Sequence, residues 1–150
     1  MKKKLTKSQI DERDTAQRPT IVCSAFVKKN GKFLFVFDPK FKTWRVPGGR
    51  SDFGEKLEDA LKREMKEEIN IEAKNLKFLG FGQDLQYHFG HKENKSRVIM
   101  YFFVKVTGKV VVDKREALEY KWVSLNEIKK EKNKEGALTD FFKKYPKLKL

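Results

Sequence analysis

Apolar and polar positions change rhythm several times along this chain, and each rhythm predicts an element. Residues 20–28 are β-rich, with Ile21, Val22, Phe26 and Val27. Asn30-Gly31 follows, a dipeptide suited to a tight hairpin turn, and residues 33–37 supply the return strand. Residues 38–43 read as a loop, and 44–46 as a short strand stopped by Pro47. The period then lengthens: Leu57, Leu61, Met65 and Ile69 recur every four residues, the stripe of an amphipathic helix over 58–69. A strand over 76–83 comes next, then a polar loop over 84–95 that carries Tyr87, His88, Phe89 and His91. A long strand over 96–107 follows. Its run of Val98, Ile99, Met100, Tyr101, Phe102 and Phe103 predicts burial on both faces.

Beyond it, residues 109–112 extend that strand or form their own, 114–119 make a charged loop, and 120–123 a last strand. Ser124-x-x-Glu127 is a capping-box signature, so a helix should run through Lys130. Residues 137–144 predict a final helix. Residues 1–19 are polar up to Arg18-Pro19 and hold a short helix over 7–14 or fray. No repeat or low-complexity linker interrupts the pattern. Strands interspersed with a few helices in 150 residues predict one domain, 1–150, of mixed α/β (α+β) class.

Thirteen Phe and 39% apolar residues give that domain the material for a core. No run of 18 apolar residues exists, so no transmembrane helix is expected and no membrane partner. Met1-Lys2-Lys3-Lys4-Leu5 lacks the apolar stretch of a signal peptide, and a cytoplasmic protein is the expectation. Cys23 is the only cysteine; it lies in an apolar run and reads as a buried structural thiol. The net charge of +14 would attract polyanions. Much of it sits at the ends, in Lys2, Lys3, Lys4 and Lys7 and in Lys143, Lys144, Lys147 and Lys149, and it reads first as a solubility device. The lysines are not interleaved with aromatics in a nucleic-acid motif, so RNA ranks below a small molecule as partner.

Candidate chemistry lies on the predicted helix. Glu64, Glu67 and Glu68 stand at i, i+3 and i+4, which gathers them on one face. Glu68 projects between Leu57 and Leu61, beside the core-facing stripe, where an unpaired charge is costly. Three like charges so close repel, and at least one should hold a proton. A divalent cation removes both difficulties, and hard oxygen ligands suit Mg²⁺, with Mn²⁺ an acceptable substitute. The bland reading is a solvated acidic face, with Glu58, Asp59, Glu64, Glu67 and Glu68 paired to Lys62, Arg63 and Lys66. The preceding Gly48-Gly49 turn and the spacing to Glu55 weigh against it.

Residues 49–71 resemble the Nudix box, G-x5-E-x7-R-E-U-x-E-E-x-G-U with U apolar. Gly49, Glu55, Arg63, Glu64, Met65, Glu67, Glu68 and Ile71 all match, and Asn70 stands where the family has Gly. Trp44-Arg45-Val46-Pro47-Gly48-Gly49 is similar to the strand and turn before the family's box. Residues 120–125, Tyr-Lys-Trp-Val-Ser-Leu, are similar to its closing strand and helix start. The resemblance, over residues 20–130, implies a MutT-like hydrolase with an α/β/α sandwich around a mixed, partly antiparallel sheet. It implies Mg²⁺-dependent cleavage of a pyrophosphate linkage in a nucleoside triphosphate or nucleoside diphosphate derivative. It carries metal binding to the Gly48 carbonyl, Glu67 and Glu68, and a ligand or general-base role to Glu64. It carries a further metal or orienting role to Glu55. Arg63 takes the role of the arginine that holds a box glutamate; its bland alternative is a surface pair with Asp59.

Some relatives place an extra base or ligand six residues before the Trp122 position, which is Glu116 here, with Glu119 as the fallback. Asn is the residue best able to replace Gly at a left-handed helix end, so Asn70 should leave the chemistry intact. Phe37, Phe41, Tyr87 and Phe89 are candidates to stack on a base, though such rings more often serve packing. His88 and His91 are candidates for phosphate or sugar. Two rival readings are removal of pyrophosphate from the 5′ end of RNA and a Nudix-fold binding module without catalysis. Such modules generally lose box glutamates, which this chain keeps. A homodimer is compatible with the family, but no interface is legible.

Overall fold

The Asn30-Gly31 turn forms as its sequence predicts, with φ of +51° and +78°, and joins β1 (Thr20–Lys29) to β2 (Lys32–Asp38). In this computed structural model, residues 4–9 and 18–150 are described. Residues 7–9 are helical, and the rest of the expected 7–14 helix lies outside the described residues. After β2 come β3 (Thr43–Arg45), β4 (Gly48–Arg50), α1 (Leu57–Ile69), β5 (Lys77–His88), β6 (Glu93–Lys105), β7 (Glu119–Val123), α2 (Leu125–Lys130) and α3 (Gly136–Lys144).

The strands make one seven-stranded sheet in the order β3-β2-β1-β6-β5, with β4 added to β1 and β7 to β2. Among the strand pairs of the described residues, β1 and β6 run parallel, from Thr20↔Arg97 to Lys28↔Lys105, and the others are antiparallel. Alternation along β1 sends side chains to two cores. Cys23, Ala25 and Val27 meet Leu61, Met65 and Ile69 of α1, together with Leu34, Val36, Phe102 and Val104. Phe26 points the other way, into Phe33, Phe35, Tyr101, Ile128 of α2 and Leu138 and Phe141 of α3. Helices therefore cover both faces of a mixed sheet, the sandwich that the family resemblance implied. The Ser124 capping box forms in full: Ser124 Oγ accepts the Glu127 N–H, and the Glu127 carboxylate accepts the Ser124 N–H.

Three local expectations need correction. Residues 84–95 are not a loop: β5 runs on to His88, β6 begins at Glu93, and only a short turn separates them. The polar residues there are paired within the fold. Arg97 donates to Asp84 at 2.9 and 2.6 Å, and Gln86 accepts the Gly136 N–H at 3.1 Å. Residues 109–112 form no strand; the Val111 N–H bonds the Ile69 carbonyl and ties this segment to the end of α1. Gly48 and Gly49 are not only a turn but strand β4, in register with Ser24 and Cys23. Among the described residues, no helix is long and apolar enough to cross a membrane.

Candidate active site

The site forms where α1 packs against β4. Glu58 and Asp59 in its first turn suit the positive end of the helix dipole. Its apolar stripe fixes the rotation, burying Leu61, Met65 and Ile69. That rotation leaves Glu64 facing β4, Glu67 toward solvent and Glu68 inward.

Glu68 is 1% exposed. Its Oε2 accepts the Gly48 N–H at 3.0 Å. Its Oε1 lies 3.0 Å from Nη2 of Arg45, but no donor is aligned with it as a hydrogen bond. Burial raises its pKa above the usual carboxylate range, and the nearby Arg45 charge offsets only part of that. Glu64 is partly buried, with its carboxylate against Gly49, where a Cβ would overlap it. Desolvation raises its pKa too, against the hydrogen bond from Arg63, while the negative charges of Glu67 and Glu116 push the same way as burial. Both shifts run in the direction that favours the protonated form, with burial the larger cause.

Arg63 gathers the outer glutamates. Its Nε and Nη2 donate to the two oxygens of Glu55 at 2.9 and 3.0 Å, and its Nη1 donates to Glu64 at 2.9 Å and Glu67 at 3.3 Å. A further bond goes to the Arg50 carbonyl at 3.0 Å. Glu55, fixed by Arg63 and by the Asp52 N–H, has its pKa pulled down to about 2. Arg63 is therefore the hub of the cluster, and its partners are box glutamates and Asp52, not Asp59. Among the described residues, no three carboxylates form a cage for an ion; those of Glu55, Glu64 and Glu67 are instead gathered by Arg63.

Glu116 lies in the loop before β7, close enough for its charge to raise Glu64. Glu119 is on β7, opposite Phe37 and exposed, so Glu116 is the one brought toward the cluster. Of the aromatic candidates, Phe37 and Phe41 are half-buried in packing, whereas Tyr87 and Phe89 are exposed. Phe37 meets Trp44, Phe41 meets His88, Tyr87 meets Phe89, and the Arg97 guanidinium lies 4.3 Å from the Phe41 ring centre. His88 and His91 stack on each other.

Two features escaped the sequence reading. Arg45, quoted only as part of a motif, is a buried cation between Asp38 and Glu68. Glu135, buried at the start of α3, accepts the Tyr101 hydroxyl at 2.9 Å and faces Arg97 at 3.4 Å. Its pKa is pushed up to about 7, chiefly by desolvation. An arginine between Trp44 and Val46 in a strand was a signal for the first; nothing local marked Glu135 among its lysine neighbours.

The model of the NUDIX domain family matches residues 16–144, nearly the whole chain. The chain belongs to the Nudix family. It is 27% identical over 112 residues to the 8-oxo-dGTP diphosphatase of Buchnera aphidicola subsp. Schizaphis graminum, covering 73% of this chain and 79% of that one. The MutT protein from Methanosarcina mazei Go1 has the same fold, with a TM-score of 0.73 at 23% identity over 87% of this chain and 94% of that chain. The NUDIX domain of Shewanella oneidensis NrtR, solved with ADP ribose, superposes with a TM-score of 0.66 at 14% identity over 97% and 100%.

In Nudix terms, α1 is the box helix and β4 the glycine strand before it. Asn70, at the family's Gly position, adopts the left-handed conformation (φ 55°, ψ 39°). Its N–H bonds the Lys66 carbonyl and the Ile71 N–H bonds the Met65 carbonyl, so the helix end closes as a glycine would close it. The carboxylates of Glu64, Glu67 and Glu68 and the Gly48 carbonyl are all hard oxygens, a donor set whose chemistry fits a divalent cation. The buried Glu68 carboxylate, hydrogen-bonded through Oε2 but not Oε1, fits the same chemistry.

Proposed function

We propose that this Nudix hydrolase cleaves the pyrophosphate linkage of a nucleoside triphosphate or nucleoside diphosphate derivative, with Mg²⁺ as its working cation. The observation that carries the reading is the packing of Glu64 and Glu68 against Gly49 and Gly48, with Glu67 at the solvent edge, tied in through Arg63. Glu67, Glu68, Glu64 and the Gly48 carbonyl would hold the cation, with Glu55 in support. Bound there, it would neutralise phosphate charge and acidify water.

The protein's own groups do the rest. Arg63 donates to Oε1 of Glu64 and thereby turns the carboxylate, leaving Oε2 to take a proton from the attacking water. Burial shifts the pKa of Glu64 upward, the direction that makes its carboxylate a stronger base. Glu116, whose charge reaches Glu64, is the second base candidate. Arg63 also keeps Glu55 ionised and fixed, so the cluster retains negative charge when Glu64 is protonated.

The curated relative's name makes 8-oxo-dGTP the first compound to try. ADP-ribose follows, from the NrtR domain's complex. The test measures phosphate and pyrophosphate release from oxidised and common nucleoside triphosphates, ADP-ribose, nucleotide sugars, dinucleoside polyphosphates and 5′-triphosphate RNA. Mg²⁺-dependent cleavage that Glu67→Gln abolishes supports the reading. Cleavage without added divalent cation, or equal turnover by Glu67→Gln, sinks it. The net charge of +14 keeps RNA in the panel, where a steep loss of binding with salt would favour it.

A further inference from the structure

Arg45 is 7% exposed and lies between strand β2 and the box helix. On one side its Nε donates to Asp38 Oδ2 at 2.8 Å. Asp38 is itself fixed, since its Oδ1 accepts the N–H groups of Lys40 and Phe41 at 2.8 and 3.3 Å. On the other side Nη2 stands 3.0 Å from Glu68 Oε1 and 3.5 Å from the Glu116 carbonyl. Nη1 donates to the Val46 carbonyl at 3.2 Å and reaches the Gly48 carbonyl at 3.5 Å. One rigid fork thus contacts Glu68, the Gly48 carbonyl and the backbone of the loop carrying Glu116.

We propose that Arg45 is a positioning residue of the metal site: it fixes the Glu68 carboxylate and the Gly48 carbonyl in the orientation that receives the cation. The inference rests on the metal-site reading given above. Two effects of Arg45 oppose each other. Its positive charge repels a second cation, yet Asp38 already balances that charge from behind. Its planar set of donors holds the end of β2, the start of β4, the loop carrying Glu116 and a buried carboxylate in register, which a flexible single-point cation cannot reproduce. Outer partners of metal ligands are generally worth about 10- to 100-fold in metal affinity or activity. Orientation therefore outweighs repulsion.

The experiment is Mn²⁺ titration of the full chain, following free Mn²⁺ by electron paramagnetic resonance, with thermal unfolding measured in parallel. Arg45→Gln should weaken Mn²⁺ binding about 10- to 100-fold, and Arg45→Lys should fall between it and wild type. Glu68→Gln should also weaken it. Wild-type Mn²⁺ affinity in Glu68→Gln would overturn the metal-site reading and this inference together. Weakened binding in Glu68→Gln with unchanged or tighter binding in Arg45→Gln would overturn the Arg45 role alone. A lowered melting temperature with unchanged Mn²⁺ affinity would make Arg45 merely structural and has the same consequence. If Arg45→Gln does not fold, Asp38→Asn releases the far side of the guanidinium without touching Glu68. It should weaken Mn²⁺ binding several-fold, and wild-type affinity there would overturn the proposal.

Discussion

The Glu64 carboxylate occupies the space where a side chain on Gly49 would stand. The glycine is thus required by contact between β4 and α1, not by its own backbone angles. Gly49→Ala must push the carboxylate off its hydrogen bond with Arg63. Displacements near 1 Å at a reacting group cost roughly 100-fold in rate. We expect kcat of Gly49→Ala to fall by about that factor, with circular dichroism unchanged; retention of half the wild-type kcat would contradict the contact.

Glu67 and Glu68 should separate activity from stability. Glu67 is 57% exposed at its side chain and makes one long contact with Arg63. Glu67→Gln should abolish most turnover and leave the urea midpoint where it was. Glu68 is buried against Arg45, and removing one partner of a buried pair costs about 3 kcal/mol. Glu68→Gln should lose both turnover and stability, and equal urea midpoints for the two variants would refute this assignment.

Glu116 and Glu119 offer a ranking. Of these two, Glu116 is the one whose charge helps raise the pKa of Glu64. Glu116→Gln should lower kcat more than Glu119→Gln. It should also move the acidic limb of the kcat/KM profile to lower pH, because removing a negative neighbour eases ionisation of Glu64. The reverse ranking would transfer the role to Glu119.

Glu135 predicts a pH effect on stability. Its carboxyl, beside Arg97, Tyr101, Asp84 and Arg45, has its folded pKa raised from 4.5 to about 7. Between those values the folded state binds more protons than the unfolded one, so stability falls as pH rises through the window. Glu135→Gln should flatten the decline in melting temperature between pH 5 and pH 8. A decline as steep as in wild type would show that other groups carry it.

Local chemistry was enough for much of this protein. The Asn30-Gly31 turn, the Ser124 cap, the left-handed Asn70 and the period of α1 depend on interactions within a few residues, so the chain announces them. The inward turn of Glu68 was legible for the same reason, since helical spacing alone sets its angle to the apolar stripe. The box pattern also named Arg63 and its glutamates. Other features are contacts between residues far apart in sequence, and no period encodes those. Polar Asp84 and Gln86 resembled a loop until Arg97 and α3 supplied partners for them. Arg45 became a buried cation only when Asp38 and Glu68 closed on it from β2 and α1. Glu135 acquired its raised pKa because the tertiary fold removed its water and placed Tyr101 and Arg97 around it. Sequence spacing fixes which face of an element a side chain takes, whereas burial and long-range partners fix its charge state and reach.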